Sequence, residues 1–195
     1  MNGKTDFTIG EIRDIAISLV VLSFVFAYPE ILSDPFFIVI SLLGVGVAFI
    51  GHELSHRFVA RKFGFYSAYK MWPQGLLLAL LLTIATNGGF VFAAPGAVVF
   101  SSYWIMKRPT MKEIGLIGIA GAVFNITLMY ASLSLYFITG IHVLSFVASI
   151  NGWLAIFNLI PFGPLDGRKV MKWNWKIWLA ALLLAVSGFI TAALF

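Results

Sequence analysis

Long apolar runs dominate the sequence and predict helices that cross a lipid bilayer. A bilayer core about 30 Å thick needs about 20 mostly apolar residues in helical conformation. Five runs approach that length, at about 15–32, 35–60, 114–138, 143–160 and 177–195. The third and fourth runs belong to one uncharged stretch, which Thr139 and Gly140 divide because a Thr-Gly step favours a turn. The pattern therefore predicts a polytopic helical bundle.

A further uncharged stretch, between Met71 and Met106, does not suit a single long helix. Prolines and glycines interrupt it at 73, 87–89 and 95–96. We expect a short helix at 75–86, followed by a partly extended return at 90–100. Non-helical backbone at membrane depth has to be buried in protein or border water, so the segment 75–106 should be re-entrant and lie beside an aqueous site. A plain hairpin of two helices is the alternative.

The composition supports a membrane protein and excludes several other classes. Of the 195 residues, 61% are hydrophobic and 11% are charged, whereas an ordinary globular chain carries roughly 25% charged residues. The absence of cysteine excludes thiol catalysis and a disulfide scaffold. We therefore expect an all-α membrane protein, a bundle of about five to six transmembrane segments with a re-entrant, partly extended segment. It should form a single domain over 1–195, with its core at 36–170.

The basic residues are concentrated in three connections, which predicts the orientation of the chain. Eleven of the thirteen lie at 57–70, 107–112 and 168–176. Connections rich in Lys and Arg face the cytoplasm in multi-pass proteins of the cell membrane. We therefore expect the N-terminus and the opening of the active site on the cytoplasmic side. The net charge of +5 is then a topological signal, and no nucleic-acid partner is expected.

Three ionisable residues stand together inside an apolar run, in the string His52-Glu53-Leu54-Ser55-His56. On a helix, His52 and His56 share a face, as two imidazole ligands of one zinc ion require. Glu53 is rotated by about 100° from His52, where it can contact a water beside the metal rather than the metal itself. The alternative is that these side chains only form hydrogen bonds between helices. Because burying ionisable groups in a membrane is costly, the pattern favours a functional site.

A catalytic zinc ion needs a third protein ligand and one open position for water. His142 lies beside the turn that we expect on the external side. Asp166 follows the run that ends near 160 and should emerge on the cytoplasmic side, level with His56. The topology thus makes Asp166 the expected third ligand. The alternative is a residue of an Asp-Gly turn, or an ionic partner of Arg168.

Two motifs make the chain resemble the site-2 protease family of intramembrane zinc metalloproteases. The string 52–56 matches the HExxH motif of that family on a transmembrane helix. The string 158–167, Asn-Leu-Ile-Pro-Phe-Gly-Pro-Leu-Asp-Gly, matches its N-x-x-P-x-x-x-L-D-G motif at every fixed position. Residues 121–125, Gly-Ala-Val-Phe-Asn, keep the spacing of the family's Gly-Pro-x-x-Asn motif but lack its proline. The resemblance extends from about 44 to 170.

The resemblance implies a set of site residues. His52, His56 and Asp166 would bind one Zn²⁺ per chain, and Glu53 would be the catalytic carboxylate. An amide side chain, from Asn125 or Asn158, would contact the substrate or stabilise its oxyanion. The stretch 89–96 looks like the family's re-entrant segment. Apart from the resemblance, the Pro-Gly step in this uncharged stretch suggests an edge strand at 90–100, with Phe90, Val91 and Phe92 as the expected substrate residues, which would capture an unwound substrate by strand addition.

The expected function is intramembrane proteolysis, the hydrolysis of peptide bonds within a transmembrane segment of another membrane protein. Two alternatives remain open. A metal-ion transporter would also place His and carboxylate groups inside a bundle, although its ligands would extend through both leaflets. A membrane-binding protein of the same fold without catalytic activity would keep the architecture and lose the motifs. The substrate and the oligomeric state do not follow from the sequence.

Overall fold

The computed structural model describes residues 7–102 and 108–195. Within them, the elements in chain order are α1 (Ile9–Ala27), a 3₁₀ helix (Glu30–Leu32), α2 (Phe37–Lys62), β1 (Phe65–Met71), α3 (Pro73–Ala85), β2 (Gly96–Ser102), α4 (Met111–Thr139), α5 (His142–Leu159), α6 (Asp166–Trp173) and α7 (Trp175–Ala193). The chain is therefore mostly helical, as expected. The first residue of the expected basic connection 107–112 lies outside the described part of the chain.

Four of the described helices, α2, α4, α5 and α7, are long and apolar enough to cross a membrane. The expected number of five to six spans is not confirmed. Helix α1 has 19 residues but carries three charged side chains, Glu11, Arg13 and Asp14, in its first two turns. Helix α3 is apolar but has only 13 residues, too few to span a bilayer core. The four long apolar helices support a membrane protein.

In its described part, up to Ser102, the uncharged stretch after Met71 contains one helix and one strand rather than two helices. Helix α3 is followed by irregular backbone and then by β2, which pairs with β1 in an antiparallel two-stranded sheet. The pairing aligns Tyr69 with Val98 and Met71 with Gly96. Strand β1 was not expected, because it lies in a connection interpreted from its basic residues.

The extended segment begins later than the sequence suggested. Residues Phe90, Val91 and Phe92 precede β2 and belong to no strand. The backbone carbonyl of Val91 accepts a hydrogen bond from the indole Nε1 of Trp153, at 2.8 Å, and the ring of Phe90 packs edge-on against the same indole. This region is therefore fixed to α5 by side-chain contacts and does not form a sheet edge.

The central helix is α2, which packs against α1 on one side and against α4 and α5 on another. Val45, Ala48 and Phe49 of α2 form the main hydrophobic cluster together with Ile150 and Leu154 of α5. Helix α7 closes the bundle by packing on α5 and α4. The functional residues of α2 thus lie in the middle of the protein, and their partners come from α4, α5 and α6.

The two edges of the sheet have different surroundings. Carboxylates of α1 cover the outer edge of β1: Glu11 Oε1 accepts from the Tyr69 amide at 2.9 Å, and Asp14 Oδ2 accepts from the Met71 amide at 3.3 Å. In an antiparallel pair, opposite residues direct their backbone polar groups either towards each other or both away. Val98 and Gly96, opposite these two residues, therefore direct their backbone groups away from β1, at the other edge of the sheet.

Candidate metal centre

Three potential metal ligands meet in the interior of the protein. Helix α2 presents His52 and His56 on one face, and Asp166 is the first residue of α6. The two Nε2 atoms are 3.0 Å apart, and Asp166 Oδ2 lies 2.8 Å from Nε2 of His56 and 3.5 Å from Nε2 of His52. All three residues are buried. His142, at the start of α5, is exposed and is not part of this group.

Hydrogen bonds on the far side of each imidazole orient both rings. Nδ1 of His52 lies 2.6 Å from Oδ1 of Asn125, and Nδ1 of His56 lies 2.6 Å from the backbone carbonyl of Ile117. Both partners are acceptors, so each Nδ1 carries the proton and each Nε2 presents its lone pair to the centre. Together with the Asp166 carboxylate, three acceptor atoms then face one another, an arrangement that needs a shared cation, either a proton or a metal ion.

The dimensions of the group fit zinc. Zinc binds imidazole nitrogen and carboxylate oxygen at about 2.0–2.1 Å, so two ligand atoms of a tetrahedral site are about 3.3 Å apart. The three separations, 2.8, 3.0 and 3.5 Å, lie close to this value. Nitrogen and oxygen donors without a thiolate are the ligand set of many catalytic zinc sites, and three of them leave a fourth position open for water. The arrangement therefore satisfies the size and chemistry of a catalytic zinc centre.

Asp166 reaches the centre because the chain reverses tightly between α5 and α6. The turn contains Gly163, whose φ of +58° favours glycine. A Cβ atom on Gly167 would lie 2.0 Å from the backbone carbonyl oxygen of Leu159, so only glycine allows the start of α6 to pack against the end of α5. The Asp-Gly pair is thus a structural unit in which the glycine places the carboxylate.

Glycine on α4 leaves space for the two imidazoles. A Cβ atom on Gly121 would lie 2.5 Å from Nε2 of His52 and 2.6 Å from Nε2 of His56. Neither ring can move aside without losing its Nδ1 hydrogen bond. Gly121 and Asn125 are four residues apart and face the same way, so one face of α4 both accommodates and orients the histidines.

The second oxygen of Asp166 has a partner of its own. Oδ1 accepts a hydrogen bond from Nζ of Lys169, one turn further along α6, at 2.8 Å. The positive charge of this ammonium group stabilises the anionic form of the buried carboxylate, which is the form that metal ligation requires.

Glu53 borders the same pocket as the three potential ligands. The pocket has a volume of about 20 Å³ and is also lined by Asn158 and by Gly96, Ala97 and Val98 of β2. A cavity of this size holds about one water molecule. Oε2 of Glu53 is buried and has no hydrogen-bond partner among the described residues. An unpartnered carboxylate oxygen beside space for one water is suited to accept a proton from that water.

The two asparagines expected near the substrate lie in different environments. Asn125 is fully buried, and besides holding His52 its amide nitrogen donates to the Ala48 carbonyl at 3.1 Å and to Oδ1 of Asn151 at 2.9 Å. Its hydrogen-bonding groups are therefore all occupied, and its position supports orientation of His52 rather than contact with a substrate. Asn158 is half-buried, borders the pocket, and uses one amide hydrogen to bond the Leu154 carbonyl at 2.9 Å.

Some residues of the site were not singled out from the sequence. Asn151 of α5 is fully buried and supports Asn125, while its own amide donates to the Val147 carbonyl at 2.8 Å. The sequence did carry a signal for Asn151, because an amide inside an apolar membrane helix needs a polar partner. Lys169 was counted only as one of the basic residues. The carbonyl of Ile117 has no sequence signal at all, since any residue supplies one.

Comparisons with known proteins agree with this chemistry. The chain is 39% identical over 181 residues to the "Putative zinc metalloprotease MJ0611" of Methanocaldococcus jannaschii, and the match covers 88% of each chain. It is 30% identical over 161 residues to the "Putative zinc metalloprotease YwhC" of Bacillus subtilis, covering 70% of this chain and 68% of that protein. No protein-family model matches the chain, and no solved structure matches it significantly.

The fold and the candidate centre define a class, helical membrane proteins with a buried His-His-Asp group of the kind that binds zinc. The comparisons with known proteins identify the family within this class. The chain belongs to the same family as the two proteins named above, whose names describe zinc metalloproteases. A metalloprotease function and zinc as its metal are therefore supported by two independent observations, the names of the relatives and the chemistry of the ligand group.

Proposed function

We propose that this chain is an intramembrane zinc metalloprotease of the HExxH type, of the kind that the site-2 protease family represents. It would hydrolyse peptide bonds within transmembrane segments of other membrane proteins. The observation that carries the proposal is the convergence of Nε2 of His52, Nε2 of His56 and Oδ2 of Asp166 beside Glu53, on a helix apolar enough to span a bilayer.

In this proposal His52, His56 and Asp166 hold one zinc ion per chain. When bound, zinc supplies a Lewis acid that polarises the scissile carbonyl and lowers the pKa of a water ligand from 15.7 to about 7. Asn125 and the Ile117 carbonyl keep both imidazoles in the tautomer and orientation that ligation needs.

Glu53 acts as general base and then as general acid. It accepts a proton from the attacking water and passes it to the leaving amine. Asn158 is the better of the two asparagines for oxyanion stabilisation, because it borders the pocket and keeps one amide hydrogen without a described partner. Asn125, with its donors in use, has the supporting role instead.

The substrate would be a transmembrane segment that unwinds locally, since a helix conceals its own peptide bonds. We assign its capture to the free edge of β2, in place of the expected Phe90, Val91 and Phe92. Gly96 and Val98 direct their backbone groups away from β1, and both line the pocket with Glu53. A segment added along this edge would form backbone hydrogen bonds next to the catalytic carboxylate. The pocket accommodates about one water, so substrate entry requires it to widen.

The orientation inferred from the basic connections is also part of the proposal. Asp166 lies in the connection that holds Arg168, Lys169 and Lys172, and His56 lies just before Arg57 and Arg61. A centre between these two basic regions would open towards the cytoplasm if both follow the usual charge bias. Labelling of single cysteines, introduced into this cysteine-free chain at Asp34 and at Lys172, tests the orientation directly.

The experiment that tests the function compares the wild type with Glu53→Gln in liposomes that contain a transmembrane reporter. The proposal expects equal zinc content in both proteins, cleavage by the wild type, and a loss of cleavage by at least about 100-fold in the variant. Ser55→Ala, on the same helix, is the matched control and should cleave normally.

Two results would contradict the protease. Equal movement of zinc across the liposome membrane by the wild type and Glu53→Gln, without cleavage, indicates a transporter. Zinc binding without cleavage or transport in the wild type indicates a binding protein. Either result would leave the metal centre in place and remove the hydrolytic role of Glu53.

A further inference from the structure

The carboxylate of Asp166 has two oxygens in different environments. Oδ2 faces the two imidazoles, at 2.8 and 3.5 Å from their Nε2 atoms. Oδ1 accepts from Nζ of Lys169 at 2.8 Å. The side chain of Lys169 is 27% exposed, and its Cβ and Cδ atoms lie within 3.4 Å of the position of a Cβ on Gly118 of α4. The lysine is therefore held along α4 with its ammonium group directed at one oxygen only.

This division matters because a carboxylate can bind a metal ion through one oxygen or through both. A hydrolytic zinc site keeps one coordination position for water, with three protein ligands in the others. If both oxygens of Asp166 bound the metal, the second would compete with water for the remaining position. A hydrogen bond from an ammonium group is strong enough to hold Oδ1 away from the metal.

We propose that Lys169 is a positioning residue that holds Oδ1 of Asp166, restricts this aspartate to ligation through Oδ2, and thereby keeps one coordination position free for water. The inference rests on the proposed function, since it assumes that His52, His56 and Asp166 bind zinc. It goes further by giving Lys169, which the sequence indicated only as one charge of a basic connection, a role in controlling how Asp166 binds the metal.

The other basic residues of α6 do not share this contact. Arg168 is exposed and its Nη1 lies 3.5 Å from the Gly163 carbonyl. Lys172 is exposed, one turn beyond Lys169. Among the described residues, Lys169 is the one lysine or arginine that pairs with Asp166. Lys172→Met is therefore a matched control, because it removes the same charge from the same helix without touching the carboxylate.

The experiment replaces zinc with Co²⁺ in purified full-length protein and records the visible absorption spectrum. Four-coordinate Co²⁺ absorbs more strongly than five-coordinate Co²⁺, so the spectrum reports whether Asp166 occupies one position or two. We expect Lys169→Met to weaken the absorption and to lower kcat by about 10- to 100-fold, with the metal still bound. Lys169→Arg, which keeps a cationic donor, and Lys172→Met should resemble the wild type.

The possible outcomes separate this inference from the proposed function. A Lys169→Met protein with the spectrum and kcat of the wild type would show that Lys169 does not control ligation, and the zinc centre would stand. A wild type that fails to bind Co²⁺, or binds it equally after Asp166→Ala, would overturn the centre itself. If Lys169→Met does not fold, Lys169→Ala provides the same comparison, and failure of Lys169→Arg to restore the spectrum would also overturn the inference.

Discussion

The pocket beside Glu53 has two walls of different construction. On the helical wall, α2 and α6 present side chains whose positions are fixed by further hydrogen bonds: His52 and His56 donate to Asn125 and to the Ile117 carbonyl, and Asp166 accepts from Lys169. On the opposite wall, β2 presents backbone at Gly96 and Val98. The sheet has only two strands in the described part of the chain, so β2 has one strand neighbour there.

This difference suggests a division of work between the walls. Side chains fixed by partners are suited to hold a metal ion in one geometry. Backbone groups at a strand edge are suited to bind an extended peptide of any sequence, because every residue supplies the same donor and acceptor. Loss of a ligand, or of a group that orients an imidazole, should therefore alter metal binding, and changes to the sheet wall should alter cleavage alone. Zinc content and reporter cleavage measure the two properties separately.

The largest effect should follow removal of a ligand from the helical wall. Asp166→Ala leaves two imidazoles and an open cavity, so we expect the purified protein to lose its zinc and to show no detectable cleavage. Metal analysis by atomic absorption and the reporter assay check both. Asp34→Ala, which removes an exposed aspartate elsewhere, should retain zinc. Retention of zinc by Asp166→Ala would mean that the third ligand lies elsewhere.

A smaller effect, confined to cleavage, is expected for Asn158 of α5, which also borders the pocket. Asn158→Ala removes an amide that borders the pocket and that, among the described residues, donates to the Leu154 carbonyl rather than to any of the three potential ligands. We expect kcat to fall by about 100-fold with zinc content unchanged, the usual cost of losing one oxyanion donor. A change confined to KM would assign Asn158 to substrate binding instead.

Asn125 should show the opposite behaviour, although it is the same type of residue. Asn125→Ala leaves Nδ1 of His52 without its acceptor and the Asn151 carbonyl without its donor. Loss of such a supporting residue weakens metal affinity by about 10- to 100-fold. Titration of the metal-free protein with zinc in the presence of a competing chelator measures this affinity. Thr127→Ala, on an exposed face of α4, is the control and should leave the affinity unchanged.

The helical wall could be predicted from the sequence because its signals are local and costly. Long apolar runs allow few conformations other than helices in a bilayer. Three ionisable groups within one such run, and an aspartate after another, are informative because burial of charge needs a partner. The sequence marked Asn125 as a candidate site residue but did not identify its partner. Only the packing of α4 against α2 decides whether its amide faces a substrate or His52.

The sheet wall was predicted less well because it depends on pairing between distant residues. Strand β1 is formed by a segment with Lys70 and two tyrosines, which has no strong signal of its own and is stabilised by β2 and by Glu11 and Asp14 of α1. The start of β2 was expected too early, near Phe90. Val91 instead bonds Trp153, about 60 residues away in sequence, a contact that no local pattern indicates.

The smallest effect should come from the sheet wall. The amide of Val98 points away from β1, so Val98→Pro removes a donor from the free edge without removing one from the sheet. Loss of one backbone hydrogen bond to an added strand is worth about 1 kcal/mol, which corresponds to about a fivefold fall in kcat/KM. Zinc content should not change. Val98→Ala, which keeps the amide, should cleave nearly as well as the wild type. Loss of zinc from Val98→Pro, or equal cleavage by both variants, would mean that β2 does not bind the substrate through its edge and that the two walls do not divide the work as proposed.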